Sequence, residues 1–181
     1  MEKIIDLSKF NNTAFSRGAP ALKELLWRIL QQGFFNVEWI TAYGLKRRVL
    51  RGFGARLDSG VIFKPKAKVT FPWKLSVGAN SWIGEEVWLL NLDPIQIGAN
   101  VCISQRAFLC TGSHDWKKDS FDLITKPIVI GDGVWICADV FIGPGVTVGE
   151  NSVVTAGSIV TQNLPPNMIC SGNPCVAVKT R

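Results

Sequence analysis

The stretch IGDGVWICADVFIGPGVTVGENSVVTAGSIVTQNLP, residues 130–165, decides the fold. A large apolar residue returns at every sixth position: Ile130, Ile136, Ile142, Val148, Val154 and Val160. Three positions after each stands Gly133, Asp139, Gly145, Asn151, Gly157 or Asn163. Four positions after each stands Val134, Val140, Val146, Ser152, Ser158 or Leu164. Gly, Asn and Asp enter left-handed backbone at low cost. A six-residue period fits neither a helix nor a continuous strand. It describes a short strand, a corner, then another short strand, and its repetition predicts a parallel β-solenoid with the apolar column buried inside.

Upstream, the same column runs through Val77, Ile83 and Leu89, admits two extra residues around Asn91-Leu92-Asp93-Pro94, and resumes at Ile97, Ile103 and Leu109. Before that the repeat is looser, from Gly52, with Val61, Ala67 and Trp73 read as an edge coil. Between Cys110 and Val129 the pattern is lost, and Ile130 lies 21 residues beyond Leu109. Excursions of this length are uncommon inside compact domains and are often functional. This one holds the only histidine, His114. After Pro165-Pro166 the repeat stops, and residues 166–181 are expected to turn back along the tube.

The N-terminal part reads differently. Residues 1–18 form an irregular arm, pinned to the body by Phe10 and Phe15. A helix is expected from Pro20, where Leu22, Leu25, Leu26, Ile29 and Leu30 make one apolar stripe, with Gly33 ending it. A second helix is expected from Asn36 through Trp39, Ile40 and Tyr43 to Leu50, with Lys46, Arg47, Arg48 and Arg51 at its end. Two roles stay open for this pair. It packs as a helical hairpin on the end or side of the solenoid, or it offers Trp27, Phe34, Phe35 and Trp39 to lipid with the arginines near head groups. The expected organisation is therefore residues 1–51 for arm and helices, 52–165 for the β-helix with its excursion at about 110–129, and 166–181 for the tail.

The 181 residues are 47% hydrophobic, ample for one core, and carry a net charge of +6. Positive balance points to an anionic partner. No nucleic-acid motif accompanies it. The basic residues concentrate early (Arg47, Arg48, Arg51, Arg56, Lys64, Lys66, Lys68), which suits a membrane surface or a phosphorylated ligand. The five cysteines are odd in number and lack CxxC spacing, so a reduced, cytoplasmic setting is expected. One histidine excludes a multi-histidine metal site built from a single chain, and no metal is expected. The start of the chain lacks signal-peptide character, and no apolar run approaches the roughly 20 residues that span a bilayer. His114 is the leading candidate for chemistry, because imidazole titrates near neutrality and suits a general base. The alternative, a histidine that only hydrogen-bonds its own loop, stays open on these grounds.

Several segments together carry a family resemblance: Phe71-Pro72-Trp73-Lys74-Leu75, Ile83-Gly84-Glu85-Glu86-Val87-Trp88, Cys102-Ile103-Ser104-Gln105, Leu109-Cys110-Thr111-Gly112-Ser113-His114-Asp115, Gly143-Pro144-Gly145-Val146-Thr147-Val148-Gly149 and Gly172-Asn173-Pro174-Cys175. With them the chain resembles the hexapeptide-repeat acyltransferases, in the branch of galactoside, maltose and nodulation O-acetyltransferases, and more narrowly the colanic-acid-biosynthesis acetyltransferases. The resemblance implies an all-β solenoid, a left-handed parallel β-helix, against the usual right-handed crossover rule. It implies a homotrimer with acetyl-CoA between neighbouring tubes, and His114 as the base that takes a proton from an acceptor hydroxyl. It further implies that Trp135, Ala138, Ala156, Thr161, Gln162 and Lys179 contact coenzyme A, and that Asn91 and Asp93 lie near the acceptor. Gln162 and Val176 depart from the family pattern, standing where a lysine and an arginine are common; Lys179 or Arg181 would have to compensate. Cys137 replaces a usual glycine. On the residues alone, Asn91 and Asp93 also read as a plain turn, Ala138 and Ala156 as packing positions, and Trp135 as cover for a coil face.

The expected function is acetyl-CoA-dependent O-acetylation of a saccharide hydroxyl, on a lipid-linked or nucleotide-linked precursor of a surface polysaccharide, in the cytoplasm or at the inner membrane face. An antibiotic or amino-sugar acetyltransferase and a non-catalytic scaffold are the competing readings. A γ-class carbonic anhydrase needs several histidines, which the single histidine speaks against.

Overall fold

The computed structural model describes residues 4–13, 15–37 and 42–181. From Arg56 onward the chain winds as a left-handed parallel β-helix of about six turns. Three parallel sheets form its faces. The first face stacks Arg56–Leu57, Leu75–Val77, Ile95–Ile97, Ile128–Ile130 and Thr147–Val148. The second stacks Ile62–Phe63, Trp82–Ile83, Cys102–Ile103, Trp135–Ile136, Val153–Val154 and Met168–Gly172. The third stacks Lys68–Val69, Trp88–Leu90, Phe108–Cys110, Phe141–Ile142 and Ile159–Val160.

The six-residue column is the interior. Ile130, Ile136, Ile142, Val148, Val154 and Val160 are all buried, and each pairs in register with the inward residue of the coil beneath or above. The corner column works as the backbone argument requires: Gly133, Asp139, Gly145, Asn151 and Gly157 have φ of 67°, 59°, 82°, 53° and 71°. Asn163 is not among the left-handed residues; its side-chain oxygen instead accepts the Thr147 N–H at 2.8 Å, closing the last coil. Lys66, Glu86 and Arg106 are left-handed although they are none of Gly, Asn or Asp. They stack with Asp139 along the edge between the second and third faces, where Lys66 pairs with Glu86 at 3.8 Å and Arg106 with Asp139 at 2.6 Å.

The early register differs from the sequence reading. The inward residues of the first coil are Leu57, Phe63 and Val69, while Val61 and Ala67 belong to the small corner column and Trp73 lies outside, in a short 3-10 turn. Two extra residues at Phe71–Lys74, matching those at Asn91–Pro94, shifted the frame. The far end also differs. Met168–Gly172 adds a strand to the second face after the repeat appears to stop, and Cys175–Thr180 folds back on it antiparallel. That hairpin covers the open edge of the sheet.

Helix α1 (Ala21–Leu30) begins after Pro20 as expected and passes into a π-turn, Gln31–Phe35, rather than stopping at Gly33. Helix α2 spans Tyr43–Gly52, later than the expected start at Asn36; Trp39 and Ile40 lie outside the described residues. The pair plugs the N-terminal end of the tube through Trp27, Phe35 and Leu50, all buried in the core cluster. Trp27 and Phe35 therefore do not face lipid, and the stripe of Leu22, Leu25, Leu26, Ile29 and Leu30 points outward instead. The cause is hydrogen bonding: the Trp27 indole N–H donates to the Val69 carbonyl at 2.8 Å, and the Gln31 side-chain Oε1 accepts the Val69 N–H at 2.8 Å. Together they satisfy the exposed end of the third sheet. Among the described residues no helix is long and apolar enough to cross a membrane.

Candidate active site

Every detour from the coil leaves at the corner between the third and first faces. The longest, residues 111–127, is not structureless. Gly112–His114 pairs antiparallel with Leu123–Thr125, with His114 opposite Leu123. The N-terminal arm lies across this hairpin: the Asp6 N–H donates to the Asp119 carbonyl at 2.8 Å, and the Lys9 ammonium reaches Asp119 at 3.3 Å.

His114 sits between two rings. Phe121 stacks parallel on it with centroids 4.3 Å apart, and Phe10 of the arm leans in at 5.8 Å. Its Nδ1 lies 2.8 Å from the Phe121 carbonyl oxygen. A carbonyl only accepts, so Nδ1 carries a proton, and in the neutral ring the lone pair is on Nε2. The orienting group is a backbone carbonyl and not the adjacent Asp115, whose carboxylate caps the Lys117 N–H at 3.1 Å.

A cavity of about 410 Å³ opens beside the hairpin, under the arm. Asp93, Lys74, Asp115, Lys118 and Asp122 line it, with Asn11 and Asn12 from the arm. Asp93 thus lies in a polar cavity next to the excursion. Asn91 does not. It is fully buried, its side-chain oxygen accepts the Phe71 N–H at 2.8 Å, and its amide donates to the Phe71 carbonyl at 2.6 Å. It clamps the neighbouring coil. Lys74, missed as a site residue in the sequence, donates to the carbonyls of Ser16 (2.7 Å) and Leu92 (2.6 Å) and lies over the ring of Phe15. Burial holds its ammonium below the usual lysine range, with the Asp93 carboxylate working against that shift. The eight-residue step from Val69 to Val77, two longer than the repeat, is the signal that could have pointed to this turn, and the reading of Trp73 as a column residue hid it.

The positions expected at coenzyme A fall in two groups. Trp135, Ala138 and Ala156 lie on the second face or at its edge with the third, and Lys179 lies on the antiparallel strand closing the second face. The Trp135 indole N–H donates to the Ser104 hydroxyl at 2.9 Å and the ring remains half exposed. Thr161 and Gln162 are exposed beyond the third face, at its corner with the first. One chain does not bring the two groups together. Arg181 is engaged with the Gly133 carbonyl at 2.9 Å, so the Lys179 ammonium is the remaining cation of that strand. Val176 is exposed and apolar. Burial pushes the Cys137 thiol up, with Cys102 adding to it, as befits a packing residue.

Comparison with known proteins agrees with this geometry. The profile described as "Bacterial transferase hexapeptide (six repeats)" matches residues 127–162. The chain is 43% identical, over 97% of both chains, to the protein named "Putative colanic acid biosynthesis acetyltransferase WcaF" in Escherichia coli K12. It is 35% identical to the Escherichia coli K12 galactoside O-acetyltransferase, covering 74% of this chain and 68% of that one. A hexapeptide-repeat acetyltransferase from Vibrio cholerae, solved with acetyl coenzyme A, superposes with a TM-score of 0.73 at 29% identity, covering 90% of this chain and 91% of that one. The repeat and the fold thus coincide with those relatives, and the chain belongs to the hexapeptide-repeat acetyltransferases.

Proposed function

We propose that this protein is an acetyl-CoA-dependent O-acetyltransferase of a saccharide hydroxyl, acting in the cytoplasm on a precursor of an extracellular or capsular polysaccharide, with His114 as general base. The carrying observation is the 2.8 Å bond from His114 Nδ1 to the Phe121 carbonyl, which selects the neutral tautomer whose Nε2 can accept a proton. A sugar hydroxyl is a poor nucleophile until a base removes its proton in the transition state. His114 Nε2 takes that proton as the oxygen attacks the thioester carbonyl. The tetrahedral oxyanion is met by a backbone N–H along the groove. Collapse expels the coenzyme A thiolate, which recovers the proton from the imidazolium. The products are the acetyl ester and free coenzyme A.

The polar lining favours a hydroxyl-rich acceptor over an apolar antibiotic: Asp93 accepts from hydroxyls, and the Asp115, Asp122 and Lys118 ion pairs and the Lys74 ammonium keep the wall polar. Names of relatives support the donor and the acceptor class: one is solved with acetyl coenzyme A, another is named for colanic acid biosynthesis. A homotrimer completes the site. Two outer faces carry exposed or half-buried apolar side chains, with Trp82 and Trp135 on the second and Trp88, Phe108 and Phe141 on the third. The first face shows Arg56, Ser76, Gln96, Val129 and Thr147, with no aromatic among them. Packing second face against third around a three-fold axis covers the aromatic rows. Lys179 then carries the phosphate contacts that Gln162 and Val176 do not supply.

The test is release of free thiol from acetyl-CoA in the presence of glycan acceptors. His114→Ala is expected to lose about 10²–10⁴-fold in rate. Turnover equal to the parent enzyme would overturn the base assignment, and turnover confined to chloramphenicol or an amino sugar would move the acceptor to the competing class.

A further inference from the structure

Helix α1 is mounted with its apolar side outward. Its tube-facing side carries Trp27, buried in the core, and Glu24, which pairs with Arg17 at 2.9 Å and with Arg28. The outward stripe is Leu22, Leu25, Leu26, Ile29 and Leu30, of which Leu22 is 67% and Ile29 61% exposed. These residues are neighbours at helical spacing and make one contiguous patch. The bonds from Trp27 and Gln31 to Val69 hold the helix in this rotation, so the patch is a fixed feature of the end of the tube.

Charge identifies what covers it. Residues 17–56 hold eight lysines and arginines against two glutamates, a balance of +6 that equals the net charge of the entire chain. The rest of the molecule is neutral. Glu24, the one carboxylate among the described residues of this segment, is buried in its ion pairs. Arg48 and Leu45 of α2 are exposed and repeat the same mixture of cation and apolar side chain. Leucines and one isoleucine beside Lys23 and Arg48, where the one carboxylate among the described residues of the segment is spent on Arg17 and Arg28, match an anionic lipid bilayer. The aromatic rows of a second copy lie on the sides of the tube, away from this end.

We propose that α1 is a membrane-docking element that seats the enzyme peripherally on an anionic phospholipid surface. Where the three-fold assembly proposed above forms, all three helical caps face the same way along the axis. Three weak contacts then act together, and the gain from multivalency turns marginal insertion into stable attachment. The acceptor cavities are held at a fixed height above the lipid, which suits an acceptor carried on a membrane anchor.

The full-length protein is sedimented with vesicles of pure phosphatidylcholine and with vesicles containing 30% phosphatidylglycerol, a fraction of roughly the anionic content that gives membranes their negative surface potential. The parent protein is expected in the pellet with the anionic vesicles and in the supernatant with the neutral ones, with release as salt rises. Leu25→Glu combined with Ile29→Glu is expected to weaken binding at least about tenfold while acetyl transfer to a soluble acceptor and the assembly mass stay unchanged. Arg48→Glu, at an exposed position outside the helix core, is expected to weaken binding and flatten its salt dependence. His114→Ala is expected to bind vesicles like the parent, which separates this inference from the catalytic one. A parent protein that stays in the supernatant with anionic vesicles, or a double variant that pellets undiminished, overturns the proposal. So does a double variant whose assembly mass falls, which would make the stripe a contact between copies.

Discussion

The most consequential single residue after His114 is Phe121. It holds φ of +48°, a region that a bulky side chain enters at a cost of about 1–3 kcal/mol. What it gains is double contact with one imidazole: its carbonyl fixes Nδ1 and its ring stacks on the same histidine. Under the base role proposed for His114, Phe121 acts as a positioning residue. Phe121→Ala keeps the backbone carbonyl and removes the ring, so kcat is expected to fall roughly tenfold to a hundredfold, as misplacement of a catalytic group does, with KM for acetyl-CoA unchanged. Phe121→Tyr should restore kcat. Steady-state kinetics of both variants check this, and a change confined to KM would contradict it. His114 stood out in the sequence because it is the lone histidine in the only long break of the repeat. Phe121 did not, since an aromatic in an irregular loop carries no period. Asn91 misled for a related reason: its spacing placed it correctly beside the excursion, but spacing cannot say that its amide is spent on Phe71.

At the level of elements, the strands were legible and the helices only half so. Inward positions of a coil are fixed by a backbone that permits one register, so Ile130 to Val160 could be assigned from their spacing alone. An apolar stripe on a helix says that one side is apolar, not that this side meets the core. In α1 the open carbonyl and N–H of Val69 drew Trp27 and Gln31 inward and turned the leucines out. Helix α2 hides a second exception. Lys46 is fully buried, its Nζ has no hydrogen-bond partner among the described residues, and the Phe35 ring lies 5.7 Å away. Burial lowers its pKa from 10.5. The folded chain therefore binds fewer protons than the unfolded chain between the lowered value and 10.5, and stability rises with pH across that window. Lys46→Met removes an unpaired buried cation and should raise Tm at neutral pH by about 2–4 °C for each kcal/mol gained. In thermal melts the gap between variant and parent should close as pH climbs toward 10.5. A lower Tm for the variant at neutral pH would show that the ammonium has a partner worth keeping.

At the level of the whole molecule, the three faces are chemically unequal, and that inequality is what an assembly would use. Trp82→Glu with Trp88→Glu places a carboxylate on each aromatic face. Light scattering is expected to show the mass falling from three times to once the 19.9 kDa of the chain, with loss of acetyl transfer because the groove is shared. Gln96→Glu on the polar face should leave mass and activity intact. If the double variant kept its mass, the aromatic rows would need another explanation. None of this inequality was read from the repeat, which reports what points inward. It lies in the residues between, from Lys68 through Trp88 and Phe108 to Phe141, which the six-residue column skips.

The three detours, at residues 70–74, 91–94 and 111–127, all depart from one corner of the prism. Two corners keep strict time and the third works as a socket. Whatever is plugged in there has only to deliver the chain back in register, and the entropy of closing a longer loop grows by only about 0.6 kcal/mol per doubling. Recognition can therefore be rewritten by exchanging these inserts while the stacked coils beneath stay as they are, which makes this scaffold a natural chassis for grafting new acceptor preferences.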